Sequence, residues 1–165
     1  MNVMDSFKTD RRRLLASVGA LSLAGPAVAA ADPWATSPFR QLTDAQWQAR
    51  LPPEAYDVLR HEGTERPFTS ALLGEHRKGV FACLGCDLPL FKSDWKYDSH
   101  TGWPSFWTAA QGALLKKADF KIFEERTEYH CARCLGHQGH VFNDGPKPTG
   151  LRYCDNGAAL KFIPA

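Results

Sequence analysis

The sequence predicts a mainly β, antiparallel domain with short N-terminal helices and a four-cysteine zinc staple. Three observations carry this. Beyond Thr64, short alternating or aromatic runs are separated by Gly, Pro, Asn and Asp, the punctuation of an all-β chain. Ahead of it lie two short helical stretches with start and stop signals. Two Cys-x-x-Cys knuckles, Cys83-Leu84-Gly85-Cys86 and Cys131-Ala132-Arg133-Cys134, bring four thiolates, and tetrahedral zinc takes four soft ligands.

At the front, Arg11, Arg12 and Arg13 precede an apolar small-residue run from Leu14 to Ala24, then Gly25-Pro26 and Ala27 to Ala31. A basic region, a short hydrophobic region and an Ala-x-Ala site in that order predict an export signal over residues 1–31, cut after Ala29 or Ala31. The run is too short and too rich in Ala, Ser and Gly for a membrane span, which needs about 20 apolar residues. No span is expected in the mature form. Paired arginines before x-Leu-Leu resemble the twin-arginine signal, with Asp10 where that pattern has Ser or Thr. The expected destination is the bacterial periplasm.

Within the leader, Lys8 and the three arginines outweigh Asp5 and Asp10, which accounts for the formal net charge of +2. The remaining 134 residues carry 16 basic and 16 acidic side chains. A nucleic-acid footprint, which needs a clustered basic excess, is therefore excluded. Residues 32–165 suffice for one domain with a core of its own.

Thr43-Asp44-Ala45-Gln46 is a capping box opening a helix to about Arg50. Pro52-Pro53 stops it and starts a second helix to Arg60, ended before Gly63. Strands are expected at Gly79 to Ala82, Ala113 to Leu115, Asp119 to Phe123, Thr127 to Cys131, Gly139 to Phe142, Leu151 to Cys154 and Ala159 to Ile163.

Forty-four residues separate the knuckles, so a shared metal would join distant parts of the sheet rather than close one small finger. Two disulfides, or one redox-active pair of the thioredoxin kind, are the competing readings of the same cysteines. Two knuckles favour the metal, since a redox pair needs only one. Four Cys ligands leave no open position, which makes the zinc structural. The fifth cysteine, Cys154, is left over: a reactive thiol, an intermolecular bridge or a small buried hydrophobe. Alternation along a strand would put Arg152, Cys154 and Asn156 on one face, where a cation lowers a thiol's pKa.

The segments Gly63 to Phe68, Thr101 to Phe106, Cys131 to Cys134, Gly139 to Gly145, and Leu151-Arg152-Tyr153-Cys154 to Phe162 closely resemble the methionine sulfoxide reductase B family, in that order. The likeness covers roughly Thr43 to Pro164. It implies the two-sheet fold and places Cys154 as the nucleophile that attacks the sulfoxide sulfur and becomes a sulfenic acid. By the same resemblance His140 protonates or hydrogen-bonds the departing oxygen, and His137 lines the pocket. Trp103 holds the substrate methyl group, while Asn156 and Arg152 surround the nucleophile and the sulfoxide oxygen. Cys83, Cys86, Cys131 and Cys134 match the zinc ligands. The implied partners are oxidised proteins or peptides carrying methionine-R-sulfoxide, and a thioredoxin-like or small-thiol reductant.

These roles suit the chemistry. A sulfoxide oxygen is a poor leaving group that needs a proton, which His supplies near neutral pH. An indole suits the polarizable S-methyl group. A donor on one side and an indole on the other would separate the two epimers. The chain departs from the family at Thr101, where many members have a resolving cysteine, and at Asp155 and Gly157. Asp155 is expected to raise the pKa of Cys154. With no sixth cysteine, an external thiol must reduce sulfenylated Cys154 directly. A zinc-stapled binding module without activity, and a thiol-disulfide oxidoreductase, are the alternative function classes.

Overall fold

The computed structural model describes residues 32–120 and 126–165. The predicted leader lies outside them, as does the end of the strand expected at Asp119 to Phe123. The helices form where the caps put them. Helix α1 spans Asp44–Arg50 and α2 spans Pro53–His61. In the capping box, Thr43 N–H donates to Gln46 Oε1 (2.8 Å) and Gln46 N–H donates to Thr43 Oγ1 (3.4 Å). Glu62 then turns left-handed (φ 57°), and Gly63 N–H closes α2 on the Asp57 carbonyl.

Among the described residues nine strands follow: β1 Gly79–Cys83, β2 Pro89–Lys92, β3 Lys96–Tyr97, β4 Ser105–Phe106, β5 Leu114–Asp119, β6 Arg126–Cys131, β7 His137–Phe142, β8 Arg152–Asp155 and β9 Leu160–Pro164. They make a three-stranded sheet, β2-β1-β9, and a six-stranded sheet, β3-β4-β8-β7-β6-β5, with every pair antiparallel. The mainly β, two-sheet expectation holds. Strands β2, β3 and β4 were not foreseen, because they are two to four residues long and embedded in Pro- and aromatic-rich segments. The strand expected at Ala113 to Leu115 is β5, which runs on to Asp119 as an edge strand whose exposed Lys116 and Lys117 give no alternating signal.

The sheets meet through aromatic rings. Phe81 and Phe91 come from the small sheet, and Phe106, Tyr129 and Tyr153 from the large one. Phe91 stacks on Phe106 at 4.1 Å, and Phe81 meets Phe106 edge-on at 5.0 Å. Buried Ala55, Val58 and Leu59 form one face of α2, at the i, i+3, i+4 spacing of an amphipathic helix. With Trp47 of α1, Leu59 covers both knuckles: a Cβ at Gly85 would lie 3.3 Å from the Trp47 ring, and one at Gly136 would lie 2.8 Å from Leu59 Cδ2.

Candidate metal centre and thiol site

Each knuckle starts where a strand ends, β1 at Cys83 and β6 at Cys131. Both turns use one device. The N–H of the fifth residue, Asp87 or Leu135, donates to the carbonyl of the first cysteine at 2.9 Å, and that residue takes a left-handed φ of 65° or 61°. The sulfurs therefore aim inward from two different sheets. Cys83 Sγ lies 3.6 Å from Cys134 Sγ, Cys86 Sγ lies 3.4 Å from Cys131 Sγ, and all four fall within 4.8 Å of one another.

A tetrahedron of ligands at about 2.3 Å has edges of about 3.8 Å, so small adjustments would seat a cation at its centre. The donor set also fits an ion chemically. All four cysteines are buried, and Gly136 N–H and Gln138 Nε2 donate to Cys134 Sγ (3.4 Å) and Cys83 Sγ (3.3 Å), contacts that favour thiolates. Cys83, Cys86, Cys131 and Cys134 are thus positioned to bind a metal ion, and they bridge two different sheets rather than distant parts of one.

The second site follows from strand register. Tyr97 pairs with Ser105, Ser105 with Cys154, Cys154 with His140, His140 with Glu128, and Glu128 with Lys117. Directly opposed residues project from the same face, so these six form one row across the large sheet, with the thiol and the imidazole adjacent. Their sequence neighbours Phe106, Tyr153 and Tyr129 face the core instead. Gly139 lets β7 lie tight against β8, since a Cβ there would sit 2.0 Å from the Cys154 carbonyl oxygen.

His137 and His140 are three residues apart and would face opposite ways on a regular strand. A register irregularity pairs His130 with His137 while Glu128 pairs with His140, so β7 carries one extra residue and both imidazoles come to one side. Their ring centroids are 5.5 Å apart.

A cavity of about 110 Å³ opens over the row, walled by Trp103, Arg126, His140, Phe142, Cys154 and Asn156 among others. Trp103 is held by its indole N–H, which donates to the Glu65 carbonyl at 3.1 Å. Glu65 is buried and is a hub of this wall. Its N–H donates to Asn156 Oδ1 (3.0 Å), and its carboxylate accepts from the Gly157 and Ala158 N–H groups at 2.5 and 2.8 Å. Asn156 Nδ2 donates to the Gln138 carbonyl at 2.9 Å, so both ends of this amide brace the backbone beside the thiol. Arg152 makes a two-pronged contact with Asp144, both at 2.8 Å, and lies 4.3 Å over the Phe142 ring.

His137 sits behind this wall, buried, with Nδ1 at 2.5 Å from Glu128 Oε1. Burial lowers its pKa to about 4 against the opposing pull of Glu128, so the ring is neutral at neutral pH. His140 is also pushed down by burial and partly restored by Asp119, whose Oδ2 lies 2.8 Å from Nε2. Burial raises the Cys154 thiol, and the Arg152 guanidinium on the same strand face pulls it back. Asp155 adds a smaller upward push, the direction expected for it. Its own carboxyl lies on the core side, where it accepts from the Tyr129 hydroxyl at 3.0 Å, and burial raises its pKa well above the usual carboxylate range. Thr101 Oγ1 stands 4.0 Å from Cys154 Sγ.

Cys154, His140, Trp103 and Asn156 are brought together around the cavity, while Arg152 flanks the thiol on its strand and His137 stands behind His140. Glu65, Asp119, Arg126 and Glu128 were missed. Strand register would have pointed to Glu128 opposite His140, but the unforeseen irregularity in β7 hides it. Asp119 and Arg126 reach the site only through the pairing of an edge strand.

A half-buried thiol beside an imidazole, removed from the four-sulfur cluster, is the equipment of a thiol-dependent oxidoreductase. Known proteins make that class specific. The SelR domain matches residues 51–164. Peptide methionine sulfoxide reductase MsrB of Agrobacterium fabrum is 49% identical over 130 residues, covering 78% of this chain and 96% of its own. The MsrB proteins of Thiobacillus denitrificans and Leptospira interrogans are 52% and 51% identical, over 74% and 73% of this chain and 93% and 92% of theirs. The chain belongs to the methionine sulfoxide reductase B family.

Proposed function

We propose that this protein reduces methionine-R-sulfoxide in oxidised proteins and peptides to methionine, with Cys154 as nucleophile. The observation that carries the assignment of roles is the row that sets Cys154 directly opposite His140, under a cavity closed by Trp103. The Cys154 thiolate attacks the sulfoxide sulfur. Two electrons pass to the substrate sulfur, its bond to oxygen breaks, and the oxygen, having gained a proton through His140, stays on Cys154 as a sulfenic acid. Methionine leaves. An external thiol then displaces water from the sulfenic acid, and a second thiol resolves the mixed disulfide.

The residue facing the nucleophile in the adjacent loop is Thr101, whose hydroxyl forms no disulfide; this supports a one-cysteine cycle fed by a thioredoxin-like protein or a small thiol. Trp103 packs on the S-methyl group, so exchanging methyl and oxygen puts the wrong group at His140 and selects one epimer. Arg152, braced by Asp144, and Asn156, braced by Glu65 and Gln138, shape the polar side of the pocket. His137 is held neutral behind them.

The ion suited to four buried thiolates is Zn²⁺, one per chain, which contributes folding free energy and takes no part in the reaction. The leader over residues 1–31 would deliver the domain to the periplasm. Separated R and S epimers, given to the wild type and to Cys154→Ser, test the reading. Turnover is expected with R alone and lost in the variant while the metal stays bound. Equal rates on both epimers, or an active serine variant, would refute it.

A further inference from the structure

We propose that Asp119 is a positioning residue of the site, fixing the His140 ring and stabilising its charged, proton-donating form, with Arg126 opposing that charge. The proposal rests on the reading of His140 as the donor to the sulfoxide oxygen. Asp119 ends β5 and is 4% exposed. One of its oxygens, Oδ2, meets both Arg126 Nη2 at 2.7 Å and His140 Nε2 at 2.8 Å. An ionised carboxylate only accepts hydrogen bonds, so Nε2 must carry a proton. The nitrogen left to exchange a proton with substrate is then Nδ1, and it donates only when the ring is an imidazolium.

The other charged or titratable groups around His140 fit this division. Glu128 stands opposite it on β6 and Cys154 opposite it on β8. His137, on the same strand, donates a hydrogen bond from Nδ1–H to Glu128, and burial keeps its ring neutral. Burial disfavours the His140 cation, Asp119 and to a lesser degree Glu128 favour it, and Arg126 adds to the disfavour. Two carboxylate–imidazole pairs on one sheet face thus set neighbouring rings in different surroundings: burial lowers both pKa values, and at His140 the Asp119 contact offsets part of that push.

The test follows the histidine Cε1 proton resonances against pH in the zinc-loaded wild type, Asp119→Asn, Asp119→Glu and Arg126→Gln, with His140→Asn for assignment. Single-turnover reduction of the R epimer is measured alongside. An acid acts while protonated, so activity falls as pH rises through its pKa. Asp119→Asn should move the His140 titration and the alkaline limb of the rate to lower pH, with at least about a tenfold loss at neutral pH. Asp119→Glu should restore part of it, and Arg126→Gln should move both to higher pH. General damage to the fold would not shift the two substitutions in opposite directions.

An unmoved His140 titration in Asp119→Asn overturns the proposal, as does faster turnover, which would make Asp119 a restraint instead. If the unsubstituted protein fails to reduce the R epimer, the reductase reading falls and the donor role with it. An active enzyme with an unmoved titration removes the part of Asp119 alone.

Discussion

Stripping the metal is the perturbation with the largest consequence for the fold. The four sulfurs come from the ends of β1 and β6, one strand of each sheet, and each cysteine is at most 2% exposed. Without a cation, four buried thiols face one another at van der Waals distance, and the sheets lose a bond-like link for which they have only weak S–H contacts. Structural zinc contributes about 10–16 kcal/mol of apparent binding free energy in small domains. A domain of this size has a total stability of about 5–15 kcal/mol. At about 4 °C per kcal/mol, losing even 5 kcal/mol lowers the melting temperature by about 20 °C. The assay is a thermal melt followed by near-ultraviolet circular dichroism, under a non-thiol reductant, with and without a strong chelator, and on Cys86→Ser. Metal content is measured on the same samples. A chelated, verifiably metal-free protein that melts within 2 °C of the loaded form would refute the idea that the cluster staples the sheets.

Three further outcomes are expected. Leu59→Ala removes the side chain that covers Gly136 and should cost about 2–5 kcal/mol by urea denaturation, without changing the chemistry of Cys154. Gly157→Ala would place its Cβ 1.9 Å from Ser70 Oγ and 3.3 Å from Glu65 Oε1, so a loss of about 1–3 kcal/mol is expected, together with a weaker hold on Trp103. Because burial raises the Cys154 thiol and Arg152 lowers it, alkylation of Cys154 should speed up as pH rises. Arg152→Ala should move that midpoint to still higher pH; a shift to lower pH would contradict the assigned influence of the guanidinium.

What the sequence disclosed depended on how local the signal was. The capping box at Thr43 and Gln46, the Pro-started second helix and the two knuckles are contained within a few residues each, and all are where expected. Strands β3 and β4 have two residues each, too few to show a period. The loop from Gly63 to Phe68 was visible as a motif, but its bracing of Trp103 and Asn156 depends on contacts 38 and 91 residues away. Asp119 and Glu128 were hidden for a related reason: their neighbours are set by pairing across strands, and the extra residue in β7 breaks the alternation that would have exposed them.

Gln138 is that extra residue. Fully buried, it gives its side-chain N–H to Cys83 Sγ and receives both the backbone and side-chain N–H groups of Asn156 on its carbonyl. A single amino acid therefore spans the distance from the sulfur cluster to the wall of the Cys154 cavity. A cation bound at the cluster is thus coupled through one side chain and one carbonyl to the backbone two residues from Cys154.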